Sequence, residues 1–158
     1  MAWADAHDQI VTAVKAVTPT TRKLGLPGSF RHVPEGWVSQ GLPDSRSFFV
    51  DLVGPLAMWG HVHPVLPRNS RYECDLVVLY RKPQSMTELQ KALAADHIAL
   101  VTALADQVNW GQPTSTIERL YMADGDLFGV AEVETIEVDN DLAAVLVRQH
   151  LTVDCKNS

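Results

Sequence analysis

The sequence predicts an α+β domain: a mostly antiparallel sheet of about five strands packed against one long helix, with a short N-terminal helix and long loops. Three observations point there. Residues 86–109 carry a capped apolar stripe at helical spacing, residues 143–155 alternate apolar and polar side chains, and residues 18–45 show neither period. Hydrophobic residues make up 46% of the 158 and charged residues 20%, which suits a single domain over 1–158 with its own core.

The first element is a helix over 3–17. Ile10, Val14 and Val17 repeat at i, i+4 and i+7 with Val11 beside them, while Asp5, Asp8 and Lys15 take other faces. Thr18-Pro19 ends it, because the residue before proline disfavours the α region. Residues 18–45 follow as a long Pro/Gly-rich connection with apolar residues interspersed, and a short strand piece is expected around Ser29–Val33. A connection of that length is uncommon in a compact domain and is expected to dock, on its own domain or on a neighbouring subunit.

Residues 46–53 read as a strand with Phe48, Val50 and Leu52 on one face. Residues 54–71 read as an extended arm or hairpin with Pro55, Gly60, Pro64, Pro67 and Asn69 as turn residues. Residues 72–80 form the next strand, lined by Tyr72, Cys74, Leu76, Val78 and Tyr80. Val77 and Leu79 predict cover on its second face as well. The long helix opens on the capping box Ser85-Met86-Thr87-Glu88, keeps Leu89, Leu93, His97, Leu100, Leu104 and Val108 on one stripe, and stops before Gly111 and Pro113. Strands over 116–122 and 127–138, joined by a turn at 123–126, and the alternating strand 143–155 complete the order.

Charge is unevenly placed. The net charge is −6, which argues against general nucleic-acid or anionic-membrane binding. Asp124, Asp126, Glu132, Glu134, Glu137, Asp139 and Asp141 run with no Lys or Arg among them. That run reads as a solvated strand face and turn, or as an acidic surface for a basic partner or a cation. Cys74 and Cys155 share the parity of their strands' apolar sets and are expected as buried free thiols in a reducing cytoplasm. No signal peptide and no apolar run of membrane-spanning length are evident.

Chemistry is sparse. His61-Val62-His63 places two imidazoles on one side of a strand, but further metal ligands are not supplied nearby, so an exposed or interface hairpin with Trp59 beside it is the stronger reading. His97 reads as a core-edge histidine with one nitrogen hydrogen-bonded. Asp124-Gly125-Asp126 reads as a β-turn rather than a calcium loop. Nucleophile elbows, phosphate loops and zinc-protease motifs are absent, so no enzyme is expected and no catalytic, cofactor-binding or metal residue is assigned.

Three segments carry a family resemblance. Arg46-Ser-Phe-Phe-Val-Asp-Leu, Arg71-Tyr72-Glu-Cys-Asp-Leu-Val-Val-Leu-Tyr80 and Asp96-His-Ile-Ala-Leu-Val-Thr-Ala-Leu104 are similar to the first core strand, the aromatic-ended strand and the following helix of the tail terminator (tail completion) proteins of long-tailed bacteriophages. With the final strand, the pattern spans residues 3–155. The resemblance implies a structural virion protein at the head-proximal end of the tail, assembled in the host cytoplasm. It implies a hexameric homo-oligomeric ring that ends growth of the tail tube protein and offers an interface to the head–tail connector (stopper) protein. Genome DNA would pass through the ring without sequence-specific binding, and no membrane would be involved. No cofactor follows from it, although ring formation in such proteins can depend on divalent cations. The interface candidates are Trp37, Trp59, His61, His63, Asp124, Asp126, Glu132 and Glu134. Three alternatives stand beside this reading: another head–tail joining or tail-tube-like subunit of the same particle, a small-molecule-binding or enzymatic α+β domain with a pocket near His97 or His61/His63, and a stand-alone adaptor that docks one partner by the Trp37 and Trp59 loops.

Overall fold

The computed structural model describes residues 2–19, 21, 25–34, 41–54, 57–59, 69–106, 110, 112–124 and 127–156; for 57–59 and 123–124 the backbone alone is described. Two helices and nine strands are present among them: α1 (Ala2–Lys15), β1 (Arg31–His32), β2 (Ser47–Leu52), β3 (Ala57–Trp59), β4 (Asn69–Arg81), α2 (Met86–Ala105), β5 (Ile117–Tyr121), β6 (Ala123–Asp124), β7 (Leu127–Phe128), β8 (Ala131–Val138) and β9 (Asp141–Lys156).

The expected architecture needs correction. The sheet is mixed and strongly curled rather than a mostly antiparallel sheet of five strands, and two helices rather than one long helix cover it. Seven strands take part, in the order β1-β2-β4-β9-β5, with β3 also on β4 and β8 also on β9. β1 runs parallel to β2; every other pairing is antiparallel. The physical reason is that hydrophobic period reports which face of a strand is buried, not the direction of its neighbour. The β1–β2 crossover runs through residues 33–46, which have no period to read. The second correction concerns α1. It packs on α2, β1, β2 and β9, with Ala6, Ile10, Val11 and Val14 buried. Gln9 Oε1 accepts from Ser115 Oγ and from the Ile117 backbone N–H, tying α1 to β5.

Two long strands form the spine. β4 and β9 pair from Asn69↔Lys156 to Arg81↔Ala144. The free edge of β4 is shared by β2 and β3, and the free edge of β9 by β8 and β5. β1 and β8 are therefore opposite edges of the same half of the sheet. The register gives one cross-strand row that reads Arg31, Ser47, Leu79, Leu146, Glu134.

The helix-facing side of the sheet carries the main core. Cys74, Leu76, Val78 and Tyr80 of β4 meet Val145, Val147, Leu151 and Val153 of β9, and Leu89, Leu100 and Leu104 of α2 close over them. Val77 and Leu79 face the other way and form a smaller buried cluster with Ala144 and Leu146, against which Leu42 and Phe49 pack. The expected two-sided cover of β4 is thus supplied in part by the long connection. Phe30 is buried in the main core, so that connection docks on its own domain at two points.

Local signals match their elements. Ser85 caps α2, its side chain accepting from the Glu88 amide, and the helix ends at Ala105, short of the expected 109. The expected strand 127–138 is broken at Gly129, whose φ of 68° suits glycine, into β7 and β8. β6 and β7 pair on either side of the expected turn, whose residues 125–126 lie outside the described residues. Both cysteines are buried free thiols. No helix among the described residues is long and apolar enough to cross a membrane.

Candidate interaction surface

One highly organised polar group among the described residues is buried. Arg46 sits at the turn into β2 with φ of 63°, a left-handed conformation uncommon for a side chain of this size. Its amide donates to the Leu79 carbonyl and its carbonyl accepts from the Arg31 amide, so the turn is locked between β4 and β1. The guanidinium then points inward. Nε donates to Asp96 Oδ2 at 2.8 Å and Nη2 to Asp96 Oδ1 at 3.0 Å. Nη1 donates to the carbonyls of Thr21 at 2.9 Å and Pro27 at 2.8 Å. Tyr80 Oη donates to Asp96 Oδ2 at 2.7 Å. Burial, with the adjacent Asp96 carboxylate, pushes the Tyr80 hydroxyl well above its ordinary range, so it stays protonated and donating.

This junction joins four parts of the chain: the connection 18–45, the start of β2, the end of β4 and the middle of α2. A buried ion pair is weak evidence of net stability but strongly favours one arrangement over others, because each partner is costly to leave alone. Here the arrangement selected is the course of the connection over the domain.

A second polar group lies open on the sheet face away from the helices. Glu73 and Asp75 of β4 stand opposite Thr152 and His150 of β9. His150 Nδ1 donates to Asp75 Oδ1 at 2.9 Å and Nε2 donates to Glu73 Oε2. Arg148 Nη1 donates to the other Asp75 oxygen at 3.1 Å, and Arg148 Nε lies 3.4 Å from Glu134 Oε1. Partial burial works against the charged imidazole of His150, but the two carboxylate hydrogen bonds outweigh it and hold its pKa above the ordinary value. Asp51 and Asp75 are directly opposed across β2 and β4, a like-charge contact that the two cationic groups beyond Asp75 offset. Arg71 and Asp154 form a further bidentate pair, at 2.8 and 3.2 Å, toward the other end of the face.

Of the interface candidates, Trp37, His61, His63 and Asp126 lie outside the described residues. Trp59 and Asp124 are placed by their backbone in β3 and β6. Glu132 and Glu134 are exposed on β8, two residues apart and so on the same face, opposite Arg148 and Leu146. Glu134 is joined to the Glu73–Asp75–His150 group through Arg148, which Glu132 faces across the strand pair. His97 Nε2 donates to the Gly129 carbonyl at 2.6 Å, as expected for a core-edge histidine. The cavity beside it, between α2 and the sheet, measures about 10 Å³, room for about one water. Among the described residues no group of three or more His, Cys, Asp or Glu is arranged to hold a metal ion.

The Arg46–Asp96–Tyr80 junction and the Glu73–Asp75–His150 group were not singled out from the sequence. The alternating parity of Arg71, Glu73 and Asp75 on one strand and Arg148, His150, Thr152 and Asp154 on another was a usable signal. It needed the pairing register to become a contact list. No protein-family model and no curated protein matches this chain.

Proposed function

We propose that this chain is a structural virion protein that forms a ring at the end of a bacteriophage tail tube, stops tube growth and offers a surface to the head connector. The observation that supports this most is convergence. Each of the three segments that resemble tail terminator proteins contributes one member of a single buried junction: Arg46, Tyr80 and Asp96.

The surfaces fit such a role. An open, charged sheet face, an eight-residue edge strand and exposed Leu127, Phe128 and Val133 are features of contact surfaces. In a ring each subunit shows two different faces to its neighbours, a heterologous contact that closes. The acids of β8 would meet basic groups on a neighbour or tube protein, or line the channel and limit adhesion of passing DNA. Divalent-cation dependence of ring assembly belongs to the same proposal.

The test is tube assembly with subunits of the tail tube protein of the same particle. Tubes grown with this chain are expected to be shorter and to carry a ring at one end in electron micrographs. Tubes of unchanged length with bare ends would sink the proposal.

A further inference from the structure

The edge strands β8 and β1 lie in stretches of the sequence that carry opposite charge. Residues 120–147 contain seven acids and no Lys or Arg, and β8, the edge strand, lies within them. Residues 9–34 contain Lys15, Arg22, Lys23 and Arg31 and no acid, and β1, the opposite edge strand, lies within them. Lys15 and Arg31 are exposed. The acids on that side are Asp44, just before β2 and 3.8 Å from Arg81, Asp5 and Asp8 on the first half of α1, with Asp8 close enough to act on His32, and Asp51 toward the far end of β2. The register turns this segregation into a row. Arg31 ends it on one edge and Glu134 on the other, four strand spacings apart, or roughly 19 Å.

β8 is also an unusual edge. All eight residues pair with β9 on one side, and no strand among the described residues lies on the other. Val133 and Val138 are exposed on it. Edge strands of this length are ordinarily shortened, covered or guarded by lysine; this one carries acids. An exposed strand edge with apolar and acidic side chains is suited to a partner that is itself a basic strand edge.

We infer that β8 of one copy docks against the β1 edge of a second copy, extending the cross-strand row so that the β8 acids Glu132, Glu134 and Glu137 face the edge that Arg31 marks on the next subunit. The contact is heterologous, acidic edge to basic edge, and repeats head to tail. It rests on the ring reading and specifies which surfaces close the ring.

The test is a charge swap read by light scattering after size exclusion. The variant E132K/E137K reverses the acidic edge, and R31E reverses charge on the basic edge; all three positions are exposed, and unchanged melting temperatures confirm the fold. Each variant alone is expected to weaken self-association by roughly tenfold or more, because like charges then meet. The triple variant E132K/E137K/R31E, and an equimolar mixture of the two single-edge variants, are expected to regain it. If the wild-type chain associates and the variants associate equally well, the edge contact is wrong while a ring built elsewhere survives. If the wild-type chain is monomeric under every condition, both this contact and the solution ring fail.

Discussion

The Arg46 guanidinium meets the Asp96 carboxylate side-on, through two hydrogen bonds of 2.8 and 3.0 Å, with both side chains fully enclosed. Nη1 holds the Thr21 and Pro27 carbonyls. One arginine therefore couples the course of a long connection to the packing of α2 on the sheet.

Removing one partner of that pair is expected to be severe. Asp96→Ala leaves a buried cation without its counter-charge and is expected to cost about 3–5 kcal/mol in urea unfolding. Tyr80→Phe removes one hydrogen bond to a charged group and is expected to cost about 1–3 kcal/mol. Arg46→Lys loses the planar fork and is expected to speed proteolysis within 18–45 more than Tyr80→Phe does. Equal, small effects for all three would contradict the junction's role.

His150 gives the sheet face a pH dependence. Its pKa is raised by Asp75 and Glu73 against the opposing effect of burial. A raised histidine contributes stability that is fully present below the ordinary value of 6.5. That contribution is lost as pH rises from there through the folded-state pKa. The side chain is 54% exposed, so the effect is modest. Thermal melts between about pH 5.5 and 8.5 are expected to show a fall that His150→Gln flattens; a parallel fall in the variant would assign it elsewhere.

Gly54 is a steric requirement. A Cβ there would lie 2.2 Å from Glu73 Cβ, and the Gly54 amide donates to the Glu73 carbonyl at 3.1 Å. Gly54→Ala is expected to destabilise by about 1–3 kcal/mol, while Gly28→Ala, with open space around it, serves as the comparison. A neutral Gly54→Ala would mean that β2 and β4 separate there at little cost.

The thiols are expected to be inert in the native state. Burial raises the Cys74 thiol far above its ordinary range and pushes Cys155 up to about 12, so the reactive thiolate is suppressed. A disulfide reagent is expected to react with both cysteines only after unfolding. Fast labelling of folded protein would contradict their placement.

The parts of this fold legible in the sequence are those where burial has a period. The capped stripe of α2 and the alternation of β9 reported both position and inward face. The parallel β1–β2 pairing left no such mark, because two residues of strand after an aperiodic connection have no pattern. Arg46 was illegible for another reason: arginine is almost never fully buried, so composition argues for the surface. Asp96 stood out only as the acid that opens the helix segment of the family resemblance. His150 has the polar parity of its alternating strand, but its partners Glu73 and Asp75 depend on a register that a one-residue slip would abolish. Trp37, His61 and His63, read as interface residues from loop context alone, lie outside the described residues.

Self-assembly is the claim on which the functional proposal turns, and solution mass tests it most directly. Light scattering over a concentration series, with and without millimolar magnesium, is expected to give a species near six times the 17.4 kDa chain mass, directly or on adding the cation. A mass of one chain at every concentration, in both conditions, would contradict it.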